Sequence, residues 1–189
     1  MSQGWTVSDP SDEALVRRHL AGDPDAFRLL YDKYRDKVFA TAYRILGEHH
    51  AASDLMQEVF VKVHGELRTF QFQSKVSTWL FRVAVNHALN KASETARHAR
   101  IEERIARDGR GDPGGTKEGR PIDEQVHRAL QALSPKLRAI VSLRYLDGLS
   151  YGEIAEVLEI SMGTVKSRLF LAHETLRPML KDVVLDGRP

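Results

Sequence analysis

Residues 149–169 read LSYGEIAEVLEISMGTVKSRL, and the spacing of apolar side chains in this stretch decides the fold. Ile154, Ala155 and Leu158 fall on the inner face of a first helix, and Ile160 lies in the turn that follows. The next helix repeats apolar residues at i, i+4, i+7 and i+11, at Val165, Leu169, Ala172 and Leu176. Two short helices joined by a tight turn, each with one buried stripe, predict a helix-turn-helix.

The buried stripe leaves a polar and partly basic outer surface near the start of the second helix. Its residues are Thr164, Lys166, Ser167, Arg168 and Phe170. In helix-turn-helix proteins this part of the second helix meets base edges in the major groove. Lys166 and Arg168 can donate to guanine or phosphate, and hydroxyl groups can serve base or backbone. The alternative is a helical bundle with a solvated basic face. The coincidence of cap, turn, stripe and outer cations favours DNA binding.

Around this motif the second half of the chain is predicted to be helical. Caps at Ser134-Pro135 and Ser161, and turns at Asp147-Gly148 and Glu159-Ile160, separate four short helices. Their predicted ranges are 123–133, 135–146, 150–158 and 162–177. A glycine-rich stretch over 108–121 lacks apolar periodicity and is predicted to be a flexible tether to the first half.

The first half is also predicted to be helical. Asp23-Pro24 supplies an N-cap and a first-turn proline, and the apolar pattern that follows runs to a stop at Gly47. A second helix is predicted over about 51–67, and a third from Val76 into the charged 94–106 region. No segment alternates like a strand for long. The fold class is therefore all-α, with two small helical domains joined by a flexible linker.

Composition narrows the function further. The 189 residues contain no cysteine, which excludes disulfides, thiolate metal sites and thiol redox sensors within this chain. The net charge is only +2. No apolar run approaches a membrane span, and we expect a cytoplasmic protein. Beyond Ile122 acidic and basic residues are equal in number. Such weak net charge is unusual for a free-standing DNA binder, which suggests that affinity is borrowed from a larger partner.

Three stretches of the second half together resemble a known family. LSPKLRAIVSLRY at 133–145, GLSYGEIA at 148–155 and GTVKSRL at 163–169 resemble region 4 of extracytoplasmic-function sigma factors, members of the sigma-70 family. That region reads the minus-thirty-five promoter element. Glu159 stands where the family often has a turn glycine, and Leu171 where it often has a basic residue. The resemblance implies an RNA polymerase sigma factor that directs promoter-specific initiation of transcription.

The first half supports the same resemblance through DLMQEVFVKV at 54–63. This stretch resembles the sigma segment that binds the clamp helices of the polymerase beta-prime subunit. Asp54, Gln57 and Glu58 lie at i, i+3 and i+4 and so share one helix face. They can pair with basic clamp residues, and a solvated helix face is the alternative.

FQFQSK at 70–75 and STWLFRVAVN at 77–86 resemble the family's loop and helix that read and melt the minus-ten element. Without ATP, opening DNA requires a better site for unstacked bases, with stacking surfaces, a pocket and nearby cations. The implied residues are Phe70, Phe72, Gln73 and Ser74 in the loop, Arg82, Asn86 and Asn90 along one helix face, and Lys75 and Lys91 near phosphate. The alternative role for the two phenylalanines is packing in the hydrophobic core. Trp79, Leu80 and Val83 are predicted to be core residues. Gln71 and Phe72 replace the family's usual arginine and glycine.

The resemblance covers residues 12–180 approximately. It implies a region 2 domain at residues 12–100 and a region 4 domain at residues 122–182. A linker at 101–121 joins them, and tails at 1–11 and 183–189 flank them. The implied partners are core RNA polymerase (beta-prime clamp helices and beta flap), promoter DNA and an anti-sigma factor, with no membrane insertion and no cofactor. Two alternative functions are a stand-alone regulator that binds a DNA operator as a dimer and an adaptor that binds only proteins. An enzyme is disfavoured because no phosphate loop, nucleophile elbow or paired-carboxylate site is recognisable, and His49-His50 is weak evidence for a metal.

Overall fold

The computed structural model describes the backbone of residues 10–105 and 121–180, and within these ranges the regular elements are helical. The first half contains α1 (Asp12–Leu20), α2 (Pro24–Leu46), α3 (His49–Glu66) and α4 (Val76–Ile105), with a 3-10 turn at Leu67–Thr69. The second half contains α5 (Pro121–Gln131), α6 (Pro135–Val141), α7 (Tyr151–Leu158) and α8 (Met162–Leu176), with a π-helical turn at Ser142–Leu146. The all-α prediction is confirmed.

The ends of α2 follow from local chemistry. Asp23 accepts a hydrogen bond from the backbone N–H of Asp25 at 3.0 Å, and Pro24 occupies the first turn where its missing N–H costs nothing. At the other end Gly47 adopts a left-handed φ of 79°, and its N–H donates to the Tyr43 carbonyl. Both boundaries are as predicted from the sequence.

Two corrections to the predicted helices are needed. α1 was not expected, although Ser11 caps it by accepting from the Ala14 N–H at 3.2 Å. The helix expected over 135–146 changes to π-helical hydrogen bonding after Val141. α4 runs from Val76 to Ile105, as predicted, and residues 101–105, which were also assigned to the start of the linker, belong to this helix. The rest of that linker up to 120, and most of both predicted tails, lie outside the described residues.

The first half packs α1, α3 and α4 around α2. α2 contributes Leu30, Val38 and Ile45 to a core in which the side chains are almost completely buried. The other helices face them with Val16, Leu55, Val59, Val63, Leu80 and Val85. On α3 the apolar residues Leu55, Val59 and Val63 recur at i, i+4 and i+8, which places all three on the buried face of the helix.

In the second half, α6, α7 and α8 pack around Ile140, Leu143, Ile154, Val157, Val165 and Leu169. This half does not stand apart from the first. α7 packs on α4, and α5 and α6 pack on α2, so the buried side chains of both halves form one continuous cluster.

Candidate nucleic-acid interface

Two serine caps position the helix-turn-helix. Ser150 begins α7 with a capping box, in which its hydroxyl accepts from the Glu153 N–H and the Glu153 carboxylate accepts from the Ser150 N–H at 2.9 Å. Ser161 begins α8 by accepting from the Thr164 N–H at 3.1 Å. Each cap satisfies backbone groups that a helix start would leave unpaired, so the position of both helices is encoded locally.

The buried stripe of α8 is confirmed: Val165 and Ala172 are fully buried, and Leu169 and Leu176 nearly so. The inner face of α7 differs from the prediction. Ile154 is buried, but Ala155 and Leu158 are only half-buried, and the second core position is Val157. Val157 lies at i+3 and Leu158 at i+4 from Ile154, and helical spacing allows either residue to share its face.

The turn between α7 and α8 places Glu159 in the left-handed region, with φ 52° and ψ 45°. Its N–H and that of Ile160 both point to the Ala155 carbonyl, which closes the end of α7. The residue that replaces the family's turn glycine therefore adopts the backbone conformation that glycine prefers.

The outer face of α8 presents the predicted DNA-contacting residues. Lys166, Ser167 and Phe170 are exposed, and Phe170 retains 67% of its accessible surface. Thr164 and Arg168 are half-buried. The Ser167 hydroxyl donates to the Thr164 carbonyl at 3.1 Å, so it would have to rotate to reach a base. The amino-terminal half of α8 thus combines cations, hydroxyls and a helix N-terminus.

The loop between α3 and α4 is folded around its aromatic residues. The ring centroids of Phe70 and Phe72 are 4.9 Å apart, and Phe70 lies 5.1 Å from Trp79. Phe72, at the position of the family glycine, has a left-handed φ of 56°. Both phenylalanines are half-buried, so each ring packs against its neighbours and also keeps part of its surface open to solvent. This agrees only in part with the prediction of an exposed pocket and only in part with the prediction of core packing.

A cation from α1 completes this loop. The Arg17 guanidinium lies 4.3 Å from the centroid of the Phe72 ring, a cation–π distance. Arg17 was missed because the two residues are far apart in sequence and α1 carried no recognised motif. Gln73 and Ser74 complete the predicted loop set, and Gln73 is exposed and donates to the Gln71 amide oxygen at 3.0 Å.

The predicted minus-ten face of α4 is partly occupied by the second half of the chain. Asn86 and Asn90 are exposed, whereas the Arg82 Nε donates to the Glu156 carbonyl of α7 at 3.0 Å. Lys75 pairs with Glu153 at 2.7 Å. That hydrogen bond raises the pKa of Lys75 and is the main reason why the pKa of Glu153 falls to about 2.

On α3, Asp54, Gln57 and Glu58 are all exposed on one face, as predicted. The Glu58 carboxylate lies 3.9 Å from the nearest nitrogen of both Lys91 and His87 on α4. These distances are long for ion pairs, so the Glu58 side chain is only weakly held. A shallow apolar groove adjoins Gln57; it is lined by Phe27, Tyr31, Phe60, Val61 and His64, of which Val61 is 76% exposed. An acidic face beside exposed apolar surface is suited to a protein partner.

The described part of the chain holds neither a metal-ligand cluster nor a membrane-spanning helix. No group of three or more His, Cys, Asp and Glu side chains in residues 10–105 and 121–180 is arranged to hold a metal ion. No helix in the described part of the chain is both long enough and apolar enough to cross a membrane.

Comparison with known proteins gives two family matches in chain order. The model for sigma-70 region 2 matches residues 30–98, and the model for sigma-70 region 4 matches residues 123–176. The two matches cover the α2–α4 and α5–α8 groups of helices. The loop of aromatic residues falls in the first and the helix-turn-helix in the second.

Relatives align along nearly the whole chain. The ECF RNA polymerase sigma factor SigW of Bacillus subtilis is 31% identical over 190 residues, covering 90% of this chain and 100% of the relative. The RNA polymerase sigma-H factor of Pseudomonas aeruginosa is 34% identical, covering 93% and 99%. The ECF RNA polymerase sigma-E factor of Escherichia coli is 34% identical, covering 88% and 92%.

Solved structures agree on the fold. CnrH, in complex with the cytosolic domain of CnrY, is 25% identical with a TM-score of 0.67, over 92% of this chain and 99% of that chain. The sigma factor RpoE, in complex with the anti-sigma factor NepR from Bartonella quintana, is 22% identical with a TM-score of 0.68, over 83% and 98%. Taken with the family matches and the relatives, these likenesses show that the chain belongs to the extracytoplasmic-function sigma factors of the sigma-70 family, which are transcription initiation factors of RNA polymerase.

Proposed function

We propose that the chain acts as an initiation factor without catalytic activity of its own, using three separate surfaces. α8 enters the minus-thirty-five major groove through Thr164, Lys166, Ser167, Arg168 and Phe170. The loop at 70–74, with Lys75, Arg82, Asn86, Asn90 and Lys91, captures melted minus-ten bases and their phosphates. Asp54, Gln57 and Glu58 of α3 bind the beta-prime clamp helices, and the second half contacts the beta flap.

The observation that carries the proposal is the outer face of α8. Its buried stripe is fully used in the core, so Lys166, Ser167 and Phe170 project away from the protein. An exposed phenylalanine beside a lysine and a serine at a helix start fits the floor of a major groove, where a thymine methyl offers apolar contact. For the domains we propose the boundaries 12–100 and 122–182, which contain both matched regions.

The clamp-binding assignment is supported by charge and exposure. Asp54, Gln57 and Glu58 are exposed on one side of α3, next to the apolar groove that includes Val61. Two carboxylates can pair with basic residues of a partner while the groove buries apolar surface. Electrostatic complementarity of this kind mainly sets specificity and the association rate.

An anti-sigma protein is a further proposed partner. The similar RpoE was solved with the anti-sigma factor NepR, and CnrH was solved with the cytosolic domain of CnrY. We propose that such a protein inserts between the two halves of this chain, where it would have to displace the contacts of α7 with α4. Purified chain and a candidate anti-sigma domain should then form a complex in which α4 and α7 both lose accessibility to hydrogen exchange.

The test is runoff transcription on genomic promoter fragments with purified chain and bacterial core polymerase. Transcripts should require both proteins. Lys166→Ala should weaken promoter use by about tenfold, the effect of losing one good base or phosphate contact, and should leave core binding unchanged. Lys136→Ala, an exposed lysine on α6, is the matched control and should have no effect.

The polymerase contact is tested separately by measuring core binding. Asp54→Lys should weaken it, whereas Asp36→Lys, a charge reversal on a side chain that is 90% exposed on α2, should not. A loss of core binding in Lys166→Ala would show that α8 faces polymerase rather than DNA. A shift of duplex DNA by the chain alone, with no response from core, would favour a stand-alone regulator.

A further inference from the structure

A cavity of about 540 Å³ lies between the end of α1, the start of α2 and the end of α3. His19 and Leu20 line it from α1, Pro24 from α2, and His64 and Arg68 from the end of α3 and the 3-10 turn that follows. Sites for small ligands are usually concave and measure about 300–1,000 Å³. The described residues that line the cavity include none of those proposed to contact DNA or the clamp helices. The cavity is therefore large enough for a small molecule and separate from the proposed contact residues.

Three basic side chains meet at this cavity without an acidic partner. The ring centroids of His19 and His64 are 5.1 Å apart, and Arg68 is close enough for its charge to act on His19. Among the described residues, no carboxylate forms an ion pair with any of the three. Asp23 is the one carboxylate among the described lining residues, and it is paired with Arg18 at 2.8 Å. Within the described part of the chain, the basic groups of the cavity are therefore not neutralised.

This arrangement favours an anion as the ligand. Burial, and then the charges of His64 and Arg68, hold the pKa of His19 below its ordinary value. A bound anion would oppose the two charge effects and favour the protonated imidazoles. His64 and Arg68 are exposed and His19 is half-buried, so a ligand can reach all three. A metal ion is disfavoured, because the guanidinium of Arg68 has no lone pair to offer and repels a cation.

We propose that the cavity binds a phosphate monoester, with Arg68, His64 and His19 as the hydrogen-bond donors. The guanidinium fork matches the oxygen atoms of a phosphate group, and protonated imidazoles donate to the same group. Three cationic groups suit a monoester, which carries close to two charges, better than a nucleic-acid backbone phosphate, which carries one. The part of the cavity beside Leu20 and Pro24 has room for a small organic group. This site is additional to the surfaces proposed for DNA and polymerase and does not depend on them.

A ligand in the cavity would contact α1 and the end of α3 at once. It would therefore stabilise the packing of α1, and the amide hydrogens of α1 should exchange more slowly when methyl phosphate is saturating. Those of α7, which does not line the cavity, should exchange at the same rate with and without methyl phosphate. Equal slowing in both helices would show that the anion stabilises the whole chain from another site.

Binding is measured on the full-length chain with two matched probes, methyl phosphate and dimethyl phosphate, by isothermal titration calorimetry at about pH 7.5. Methyl phosphate should bind with a Kd of about 1 mM or lower, and dimethyl phosphate about tenfold more weakly because it carries less charge. Arg68→Ala should weaken the binding of methyl phosphate about tenfold, since it removes a charge-assisted hydrogen bond. Lys136→Ala removes the same charge from an exposed position on α6 and should leave binding unchanged.

Sulfate is the probe for pH dependence, because it keeps both charges while the histidines titrate, between about pH 6 and 8. Asp23 stays ionised in this range, since the hydrogen bond from Arg18 lowers its pKa. Because the anion favours protonated His19 and His64, sulfate should bind more tightly as the pH falls. The expected tightening is about tenfold, the effect of raising the pKa of one histidine by about one. His19→Gln should reduce this dependence, and His98→Gln, at an exposed position on α4, should retain it.

Gly65 allows a test that needs no bound ligand. A Cβ added there meets no heavy atom within 4 Å outside its own stretch of helix, so a longer side chain can enter the cavity from α3. Gly65→Glu would supply a tethered carboxylate, and Gly65→Gln a neutral side chain of the same shape. Compared with Gly65→Gln, Gly65→Glu should make His19 titrate at a higher pH in NMR spectra. It should also bind methyl phosphate about tenfold more weakly, because the carboxylate repels the probe.

Three binding results would overturn the proposal. The first is no binding of methyl phosphate by the parent chain up to about 10 mM. The second is equal binding of the two esters, which would mean that the cavity takes a singly charged diester. The third is an Arg68→Ala chain that binds methyl phosphate as tightly as Lys136→Ala, which would place the bound anion elsewhere. Identical titration of His19 in the two Gly65 variants would contradict the proposed position of the anion.

Discussion

Glu159 is the residue at which the backbone of the helix-turn-helix is most open to a sharp test. It occupies the left-handed region with φ 52°, and its side chain is exposed. For an L-residue with a Cβ this conformation costs roughly 1–2 kcal/mol. Glycine avoids that cost, so Glu159→Gly should stabilise the chain although it removes a whole side chain.

The expected size follows from three contributions. Relief of the left-handed conformation contributes roughly 1–2 kcal/mol. The greater conformational freedom of glycine in the unfolded chain lowers the free energy of unfolding by about 0.4–1 kcal/mol. Removing a carboxylate from the carboxyl end of α7, where the helix dipole disfavours negative charge, adds about 0.3 kcal/mol. The net gain for Glu159→Gly is about 1 kcal/mol, whereas Glu159→Ala should gain only the last contribution.

The assay is urea unfolding followed by circular dichroism, with thermal melting as a second measure. A gain of about 1 kcal/mol raises the Tm of a protein of 150–250 residues by about 2–4 °C. Glu156→Gly is the matched control, because it makes the same substitution at an exposed right-handed position of the same helix. It should destabilise the chain by about 0.5–1 kcal/mol. If both glycine variants lose stability equally, the left-handed turn at Glu159 is refuted.

Three other perturbations test the first half and the contact between the halves. Gly47→Ala forces a Cβ into a φ of 79° and should cost about 1 kcal/mol or more in urea unfolding, which a value near zero would contradict. Because the hydrogen bond from Lys75 is the main cause of a Glu153 pKa of about 2 instead of 4.5, this carboxylate contributes stability above pH 4.5 that is lost as the pH falls toward 2. Denaturation midpoints measured across that window should therefore fall less steeply for Glu153→Gln than for the parent chain. Tyr34→Phe removes a hydroxyl that donates to Asp12 at 2.5 Å, so amide hydrogens of α1 should exchange faster while those of α3 are unchanged.

The helices and the sigma-factor motifs could be predicted from the sequence because their signals are local. Asp23-Pro24 and Gly47 bound α2 through backbone chemistry that involves only nearby residues. The stripe from Val165 to Leu176 is set by helical periodicity, which also determines that Lys166 faces outward. The motifs at 54–63 and 133–169 are contiguous, so they identify the family without tertiary information.

Local signals were insufficient where two neighbouring residues of one helix could each occupy the buried face. In α7 both Val157 and Leu158 are apolar, and periodicity alone did not distinguish them. The packing of α7 against α4 and α8 buries Val157 completely and leaves Leu158 half-buried. α1 was missed for a related reason, since most of its residues are polar and its cap at Ser11 had no recognised motif after it.

The sequence by itself determined the helical fold, the outer face of α8 and the family, because caps and periodicity act between residues within a few positions of each other. Only the tertiary structure decided that Arg17 lies on Phe72, that Asp147 reaches Arg44 and that Glu153 reaches Lys75. Each of these pairs joins residues at least fifty positions apart. Such contacts arise when separately formed helices pack, since their charges and rings meet only after the apolar faces have been buried together.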